Sequence, residues 1–276
     1  LGQALLERGR GQGSRLTELG QRLVWADARV GARLQPLLAS LASELESELG
    51  RSQRKARAPL RLAASHGFGV AALCEQIAAR RLPVALSYRN SLEAVAALAQ
   101  GDCDLAGFHV PLGRFESAAA QRYLQWLRPA EHRLVHLAVR TQGLFVAPGN
   151  PLKLQGLADL SRPGLRFLNP PEGSATRFLT DLMLRHQGID RRRISGYDHT
   201  EFTHAAVAAF VASGMADVGM GVQTAADRFG LHFIPLLRDR YFFAVSAESL
   251  QRRDFASVWT TLQPPAFRAQ AAALKG

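Results

Sequence analysis

The chain has 276 residues, of which 47% are hydrophobic, a composition typical of a globular protein with one large domain or two smaller lobes. It shows neither an apolar run long enough to span a membrane nor the pattern of a signal peptide, so we expect no membrane partner. The two cysteines, Cys74 and Cys103, lie in apolar surroundings, which favours a reducing, cytoplasmic location. The sequence leaves open whether the two form a disulfide.

The formal net charge is +11 and comes mostly from arginine. Such a charge fits a polyanionic partner such as DNA. The same composition, rich in arginine, alanine, leucine and glycine, fits a GC-rich genome equally well, so the charge alone selects neither explanation.

Residues 1–16 contain a basic glycine-rich turn, Gly9-Arg-Gly-Gln-Gly13. A loop of this kind suits contact with the phosphate backbone of DNA, and we expect Arg10 and Arg15 to make that contact without reading base sequence. A disordered basic segment is the alternative.

Residues 17–49 are predicted to form one long helix with Thr17 as its N-cap and a kink or restart at Pro36. Its apolar residues recur at steps of three, four and seven, which produces one apolar stripe. The stripe favours a dimerisation helix in a homodimer or tetramer. The alternative is a helix that packs on its own domain. The stripe consists of Leu19, Leu23, Val30, Leu34, Leu37, Leu38, Leu41, Leu45 and Leu49.

The segment Arg15-Leu-Thr-Glu-Leu-Gly-Gln-Arg-Leu23, after its basic turn, resembles the wing and linker helix of LysR-type and molybdate-responsive winged helix-turn-helix regulators. The resemblance implies that residues 1–16 are the remnant of a DNA-binding wing. It also implies a recognition helix before Leu1, so that DNA is a partner through the N-terminal domain of a longer protein.

Residues 50–59 form a basic linker bounded by glycine and proline, and strands then alternate with helices. This alternation predicts a parallel, doubly wound α/β sheet. In the first half we expect strands and helices at Leu60–Ala64, Val70–Arg80, Val84–Tyr88, Asn90–Ala99 and Asp104–Phe108.

Ligands of such sheets sit beyond the carboxyl ends of the strands. Ser65, Ser91 and His109 each follow a predicted strand and are therefore candidate ligand-binding residues. Taken singly, Ser91 could be only an N-cap and His109 only a loop residue.

The second half contains two pairs of short strands. The first pair is Leu134–Arg140 and Gly143–Val146, with Thr141 between them, and the second is Phe233–Leu236 and Arg240–Val245, which holds Tyr241. A terminal helix is predicted over Leu250–Leu262.

The turn after the strand Leu165–Leu168 has the residues of an anion cradle. Gly173 allows close backbone approach, while Ser174 and Thr176 place hydroxyls at the start of a helix. Arg177 adds a planar cation. The alternative is an ordinary capped helix with Arg177 in solvent.

The two halves echo each other. Asn90-Ser91 to Gly107 parallels Thr203-His204 to Gly219: each is a capped helix, a glycine stop, an aspartate and an apolar strand. The echo predicts two lobes with a cleft between them, able to close around a ligand.

The order of Asn169, the Gly173–Arg177 turn, Gly196-Tyr197, Thr203-His204 and Ala216–Gly219 resembles the PBP-like domain of bacterial regulators and proteins linked to molybdenum metabolism. The resemblance implies a two-lobed type 2 periplasmic-binding-protein fold over 60–276. Lobe one would comprise about 60–140 plus 237–276, and lobe two about 141–236.

The resemblance further implies a ligand-responsive transcription regulator that binds a small anion, such as molybdate, tungstate or formate, between its lobes and uses no cofactor. The residues expected to bind the anion are of two ranks. The first rank comprises Ser65, Ser91, Ser174, Thr176 and Arg177, and the second comprises His109, Thr141, His204 and Tyr241.

Two other functions stay open. One is a solute-binding receptor of an anion transporter. The other is an enzyme that uses His66, His109, His199 or His204 with an aspartate. The chain contains no metalloprotease, nucleotide-binding or serine-hydrolase motif, so we expect neither catalytic nor metal-binding residues.

Overall fold

The computed structural model describes residues 3–8, 13–52, 59–79, 84–251 and 255. Short 3-10 segments lie at Leu157–Ser161 and Arg191–Arg193. The helices are α1 (Glu18–Ser52), α2 (Phe68–Ala79), α3 (Ser91–Ala99), α4 (Glu116–Gln121), α5 (Ala175–His186), α6 (His204–Ala212), α7 (Gln223–Arg228) and α8 (Ala247–Gln251). The strands are β1 (Leu6–Arg8), β2 (Ser14–Leu16), β3 (Leu60–Ala64), β4 (Val84–Tyr88), β5 (Leu105–Pro111), β6 (His132–Val146), β7 (Phe167–Leu168), β8 (Val218–Val222) and β9 (His232–Ser246).

Seven strands form one mixed sheet in the order β4-β3-β5-β9-β6-β8-β7. Strand β3 runs parallel to β4 and β5, and β7 runs parallel to β8. The pairs β5–β9, β6–β8 and β6–β9 are antiparallel. The prediction of a fully parallel sheet is therefore wrong.

The reason is that each predicted pair of short strands is one strand of 15 residues. Strands β6 and β9 pair with each other from His132 to Val146, with register shifts at His136/Ala138 and Gln142/Gly143. The prediction placed a break at Thr141-Gln142, next to the second register shift, whereas the first shift lies inside the predicted strand Leu134–Arg140. In the structure both shifts are irregularities inside continuous strands, and Thr141 lies within β6.

Two groups of buried apolar side chains lie on either side of these long strands. One side packs residues of β3, β5, α2 and α3, and the other packs residues of β7, β8, α5 and α6. The molecule thus has two lobes joined by β6 and β9, which confirms the predicted two-lobed α/β fold of the type 2 periplasmic-binding-protein kind.

The predicted echo corresponds to one structural device used twice. In lobe one, the carboxylate of Asp104 accepts hydrogen bonds from the backbone N–H (2.9 Å) and from the guanidinium of Arg61. The same guanidinium donates to the carbonyl of Gly101. In lobe two, Asp217 accepts the N–H of Arg166 (2.8 Å), whose guanidinium donates to the carbonyl of Gly214. Each pair ties a helix stop to the neighbouring strand. The arginines were not singled out from the sequence.

Helix α1 runs unbroken through Pro36, so the predicted restart there is wrong. Proline lacks an N–H, which leaves the carbonyl four residues earlier, that of Ala32, without its helical donor. The hydroxyl of Thr203 in lobe two lies 3.4 Å from that carbonyl oxygen and donates to it. A contact with the rest of the molecule thus compensates the proline.

One side of α1 lies on the body of the protein and touches both lobes. Arg33 forms an ion pair with Glu201 and lies over the ring of Phe210, both in lobe two. The hydroxyl of Ser43 donates to the carbonyl of Leu86 in lobe one. At 100° per residue Ser43 lies nearly opposite the centre of the apolar stripe, whereas Arg33 lies about a quarter turn from it. The stripe is exposed at Leu23, Val30, Leu34, Leu37, Leu38, Leu41, Leu45 and Leu49.

Strands β1 and β2 form an exposed antiparallel ribbon that carries Arg15, whereas Arg10 lies outside the described residues. The hydroxyl of Thr17 accepts the N–H of Gly20 (3.1 Å), as expected of an N-cap. Of the predicted linker, 50–52 belong to α1 and 53–58 lie outside the described residues, as does most of the predicted terminal helix.

Cys74 and Cys103 are both free thiols, half-buried and buried respectively. Burial raises the pKa of Cys74 to about 11 and that of Cys103 to about 12, so both are protonated at neutral pH. Over the described ranges, none of the helices has the length and hydropathy required to cross a bilayer.

Candidate functional site

A cleft of about 260 Å³ opens between the lobes, where the helices that follow the strands begin. Six of the nine predicted ligand-binding residues line it, namely Ser65, Ser91, His109, Ser174, Thr176 and His204. Arg140, His66, Tyr88, Arg89, Asn90 and Phe202 line it as well.

Lobe one supplies the starts of two helices. Ser65 and His66 follow β3 and lead into α2, while Asn90 and Ser91 follow β4 and begin α3. The side chain of Asn90 accepts the N–H groups of Leu92 and Glu93, both at 3.0 Å, so Asn90 is the N-cap. The hydroxyl of Ser91 is therefore not used as a cap, and its side chain is buried at the cleft.

Lobe two supplies two further helix starts. Ser174 caps α5 by accepting the N–H of Arg177 (3.1 Å), and Thr203 caps α6 by accepting the N–H of Ala206 (3.1 Å). Gly173 has a φ of +82°, and a Cβ built on it would lie 3.4 Å from the side-chain nitrogen of Asn90. Glycine thus removes a side chain at a position where the two lobes lie close together.

The first N–H groups of a helix have no partner within the helix and carry the positive end of its dipole. Helices α2, α3, α5 and α6 all direct such an end toward the cleft. Each has at least nine residues, long enough for its dipole to develop. The arrangement favours negative charge in the cleft.

A charged pair forms the floor. Asp239 is fully buried and accepts from Nε and Nη2 of Arg140 at 2.8 and 2.9 Å. Gln142, two residues on and on the same face of β6, donates to the same carboxylate. The guanidinium of Arg140 is thereby held in one orientation against the cleft.

His109 lies inside β5, two residues before the strand ends, and not at the strand end as predicted. Its Nε2 is 3.5 Å from the hydroxyl of Ser65, while its Nδ1 is 3.9 Å from Asp239, too far for a hydrogen bond. Within the described residues, Nδ1 of His109 and Nδ1 of His204 are buried without a hydrogen-bond partner.

Burial keeps the cleft histidines neutral. Desolvation lowers the pKa of His204 to about 3 and that of His66 to about 4, and the charge of Arg140 acts in the same direction on His204. Desolvation, with Arg140 and His204, also holds the pKa of His109 well below its usual value. Arg140 is therefore the cation on the floor at neutral pH.

Arg177 lies elsewhere. Its guanidinium carbon sits 4.1 Å from the ring centre of Tyr197, and its nitrogens are 3.6 Å from Asp181 and 3.4 Å from Asp198. Its side chain is not part of the cleft lining. The turn therefore contributes its backbone, Ser174 and Thr176 to the cleft, while Arg177 packs within lobe two.

Thr141 and Tyr241 also stay out of the lining. Thr141 alternates with Arg140 and Gln142 along β6, so its side chain faces the opposite side of the strand. Tyr241 is buried behind His109, with ring centres 4.4 Å apart. It supports a lining residue without reaching the cleft.

Sequence reasoning missed an aromatic wall. The rings of His66 and Tyr88 are stacked with centres 3.5 Å apart, and Phe202 meets His66 edge-on at 5.3 Å. Phe202 comes from lobe two and is 64% exposed. The position of His66 and Tyr88 at strand ends was a usable signal, whereas Phe202 had none, because it lies in an irregular segment.

The remaining charged side chains of the lining carry a formal net charge of −1, one cation against two carboxylates. Arg89 adds a second cation, and Glu93 and Glu172 add two carboxylates. In the described part of the chain, no three His, Cys, Asp or Glu side chains come together as possible metal ligands. The net positive potential in the cleft therefore comes mainly from the helix ends, while Arg140, paired with Asp239, supplies a guanidinium of fixed orientation.

The chain is similar to known proteins in sequence and in fold. It is 33% identical over 167 residues to the uncharacterized protein YvgK of Bacillus subtilis (strain 168), an alignment that covers 59% of this chain. The chain spans about half of that relative, 53% of its length.

Two solved structures share the fold at low identity. The first is a phosphate ABC transporter substrate-binding protein with bound phosphate from Clostridium perfringens, with a TM-score of 0.56 and 11% identity over 79% of this chain and 98% of the other. The second is a mutant of OxyR from Corynebacterium glutamicum, with a TM-score of 0.54 and 16% identity over 98% of this chain and 79% of the other.

The model of the PBP superfamily domain matches residues 74–263, which is more than half of the chain. The matched range includes β4, β5, the crossing strands and lobe two, and with them most of the cleft. The chain belongs to the PBP superfamily.

Proposed function

We propose that this chain is the effector-sensing part of a ligand-responsive transcription regulator of LysR-type organisation. A small anion binds between the lobes, and closure of the cleft changes how α1 is held. The protein acts as a homodimer in a DNA-binding regulator that uses neither a cofactor nor a metal. It is not an enzyme.

The observation that carries the ligand part is the convergence of four helix starts and Arg140 on one cleft. Helix ends supply N–H donors and partial positive charge, hydroxyls supply further donors, and Arg140 supplies a fixed cation. In this proposal Arg140 has the role that the sequence suggested for Arg177. Ser65, Ser91, Ser174, Thr176, His109 and His204 complete the ligand-binding set.

The placement of α1 favours a regulator over a transport receptor. Thr203, which contacts α1 at Ala32, lines the cleft directly before His204, and Glu201, which contacts Arg33, lies two residues before Thr203. Ser43 of the same helix contacts lobe one. Movement of the lobes relative to each other must therefore alter at least one of these contacts, and α1 carries the apolar stripe available to a second copy.

Isothermal titration of the chain with molybdate, sulfate, formate and benzoate tests the ligand part. We expect at least one of them to bind. We expect the double variant Arg140→Gln/Asp239→Asn, which neutralises the floor without leaving a buried unpaired charge, to weaken binding at least tenfold. Arg192→Gln, which removes one partner of an exposed ion pair with Asp190, is the matched control and should bind like the wild type.

Hydrogen exchange separates the two functions. In a regulator, a saturating ligand changes the exchange rates of α1 amides around Ala32 to Ser43. In a transport receptor, protection is confined to the residues around the cleft. Unchanged exchange in α1 at full saturation would therefore count against the regulatory proposal.

A further inference from the structure

We infer that the ligand of this cleft is a planar ring carrying a single negative charge, such as an aromatic or heteroaromatic monocarboxylate, and not a bare inorganic oxyanion. The inference rests on the proposed ligand-binding function and names its chemical class. Three observations on the cleft carry it.

The first observation is size. A volume of about 260 Å³ corresponds to about nine water molecules at ~30 Å³ each in the liquid. A tetrahedral oxyanion held by helix ends needs far less room. The cleft instead has space for a ring with its substituents.

The second observation is the aromatic wall at the cleft. The stack of His66 on Tyr88 and the edge-on ring of Phe202 form a surface contributed by both lobes. Aromatic rings attract other flat rings through offset-stacked and edge-to-face contacts. An exposed phenylalanine at a cleft between two lobes is unfavourable in water and becomes favourable when a ring covers it.

The third observation is charge. Arg140 is already neutralised by Asp239, the cleft histidines are uncharged, and the lining sets one further cation, Arg89, against two carboxylates, Glu93 and Glu172. The surplus positive potential is that of the helix ends, each equivalent to about half a charge. Such a site suits a monoanion, whereas a dianion such as molybdate would be opposed by two nearby glutamates.

The three observations define an orientation. The carboxylate lies on the floor, between Arg140 and the hydroxyls of Ser65, Ser91 and Thr176. The ring points toward the mouth, between the His66–Tyr88 stack and Phe202. Closure brings Phe202 of lobe two onto the ring, so the ring itself links ligand binding to movement of the lobes.

Calorimetry of the full chain tests this class with benzoate, 4-hydroxybenzoate and nicotinate against formate, acetate, sulfate and molybdate. We expect at least one ring acid to bind at least tenfold more tightly than any of the ringless anions. Phe202→Ala should weaken that ring acid by about 2- to 10-fold, the range of one aromatic pair, and leave the ringless anions unaffected.

Met215→Ala is the matched control, because Met215 is another exposed apolar residue of lobe two and lies outside the cleft. Tighter binding of sulfate, molybdate or formate than of every ring acid would overturn the inference while keeping the anion-binding function. Equal affinity of a ring acid for wild type and Phe202→Ala would also overturn it. Absence of heat with all seven compounds would overturn both the inference and the proposed function.

Discussion

Arg140 reaches the cleft because of one carboxylate, that of Asp239. The two side chains meet through two hydrogen bonds of 2.8 and 2.9 Å, although they are 99 residues apart in the sequence. Asp239 has no exposed surface, so nearly all of its interaction is with Arg140, Gln142 and the neighbouring His109. The pair stabilises the junction of the lobes and orients the guanidinium of Arg140 toward the cleft.

We predict that Asp239→Asn lowers the free energy of unfolding by about 3–5 kcal/mol, because it leaves a largely buried guanidinium without its counter-charge. Urea denaturation followed by circular dichroism measures this loss. The matched control is Asp190→Asn, whose partner Arg192 is exposed. That change should cost less than about 1 kcal/mol. Similar losses in both variants would show that the buried pair contributes no more to stability than the exposed pair.

The buried His204 makes stability depend on pH. Its pKa is about 3 in the folded protein, against an ordinary value of 6.5, so the unfolded chain binds more protons between these values. The free energy of unfolding therefore falls as the pH drops below about 6.5, and the loss continues down to about pH 3. At pH 5 the contribution is about 2 kcal/mol, at 1.36 kcal/mol per pH unit.

We predict that His204→Gln, which cannot be protonated, loses less stability than the wild type between pH 7.5 and pH 5. Thermal unfolding at both pH values measures the difference. The comparison between the two proteins removes the effects of carboxylates that titrate in both. Parallel losses would indicate that His204 is protonated without cost in the folded state.

At the scale of elements, the site is a set of helix starts brought together by strand ends. The turn before α5 is the most constrained of them, because Gly173 has a positive φ and faces Asn90 across the cleft. Gly188, which follows α5, also has a positive φ, but a Cβ there would have nothing within 4 Å. A comparison of substitutions at the two positions therefore distinguishes the effect of backbone strain from the effect of an added methyl group on the cleft.

We predict that Gly173→Ala and Gly188→Ala each lower stability by about 1–2 kcal/mol, the cost of a left-handed conformation with a side chain. Only Gly173→Ala should also weaken ligand binding, because its methyl group would keep the lobes apart at Asn90. Denaturation and calorimetry of the two variants provide the test. Equal affinities would mean that closure does not bring this turn closer to lobe one.

At the scale of the whole molecule, α1 has one side on the body of the protein and one side exposed. Its inner side is occupied by both lobes, whereas the leucines of its outer side are exposed, Leu38 by 60%. A continuous apolar stripe of this kind is typical of a surface that associates with another helix. We expect that partner to be α1 of a second copy.

We predict that Leu38→Glu/Leu41→Glu converts a dimer into a monomer of 30.1 kDa without loss of helix content. Light scattering measures the mass, and circular dichroism measures the helix. Gln35→Glu adds a charge to the exposed surface of the same helix outside the centre of the stripe and should leave the mass unchanged. A monomeric wild type would refute the assignment of the stripe.

Much of the fold could be predicted because it depends on local patterns. The strand Val84–Tyr88, the helix from Ser91 to Ala99 and the long apolar helix all follow from periodicity and capping residues. The long strands were missed because polar residues interrupt the apolar pattern at Thr141-Gln142 in β6 and at Arg238-Asp239 in β9. Strand direction was missed because it depends on pairing between distant segments.

For the site, the sequence alone determined that hydroxyls and helix starts gather at strand ends, since strand–turn–helix order brings them there in any such sheet. Only the tertiary structure decided which arginine enters the cleft. Arg177 turns away because Tyr197, Asp181 and Asp198 surround it in lobe two. Arg140 turns in because a strand places alternate side chains on one face and Asp239 holds it there. The direction of a charged side chain is set by partners that are distant in sequence, and those partners meet only once the chain has folded.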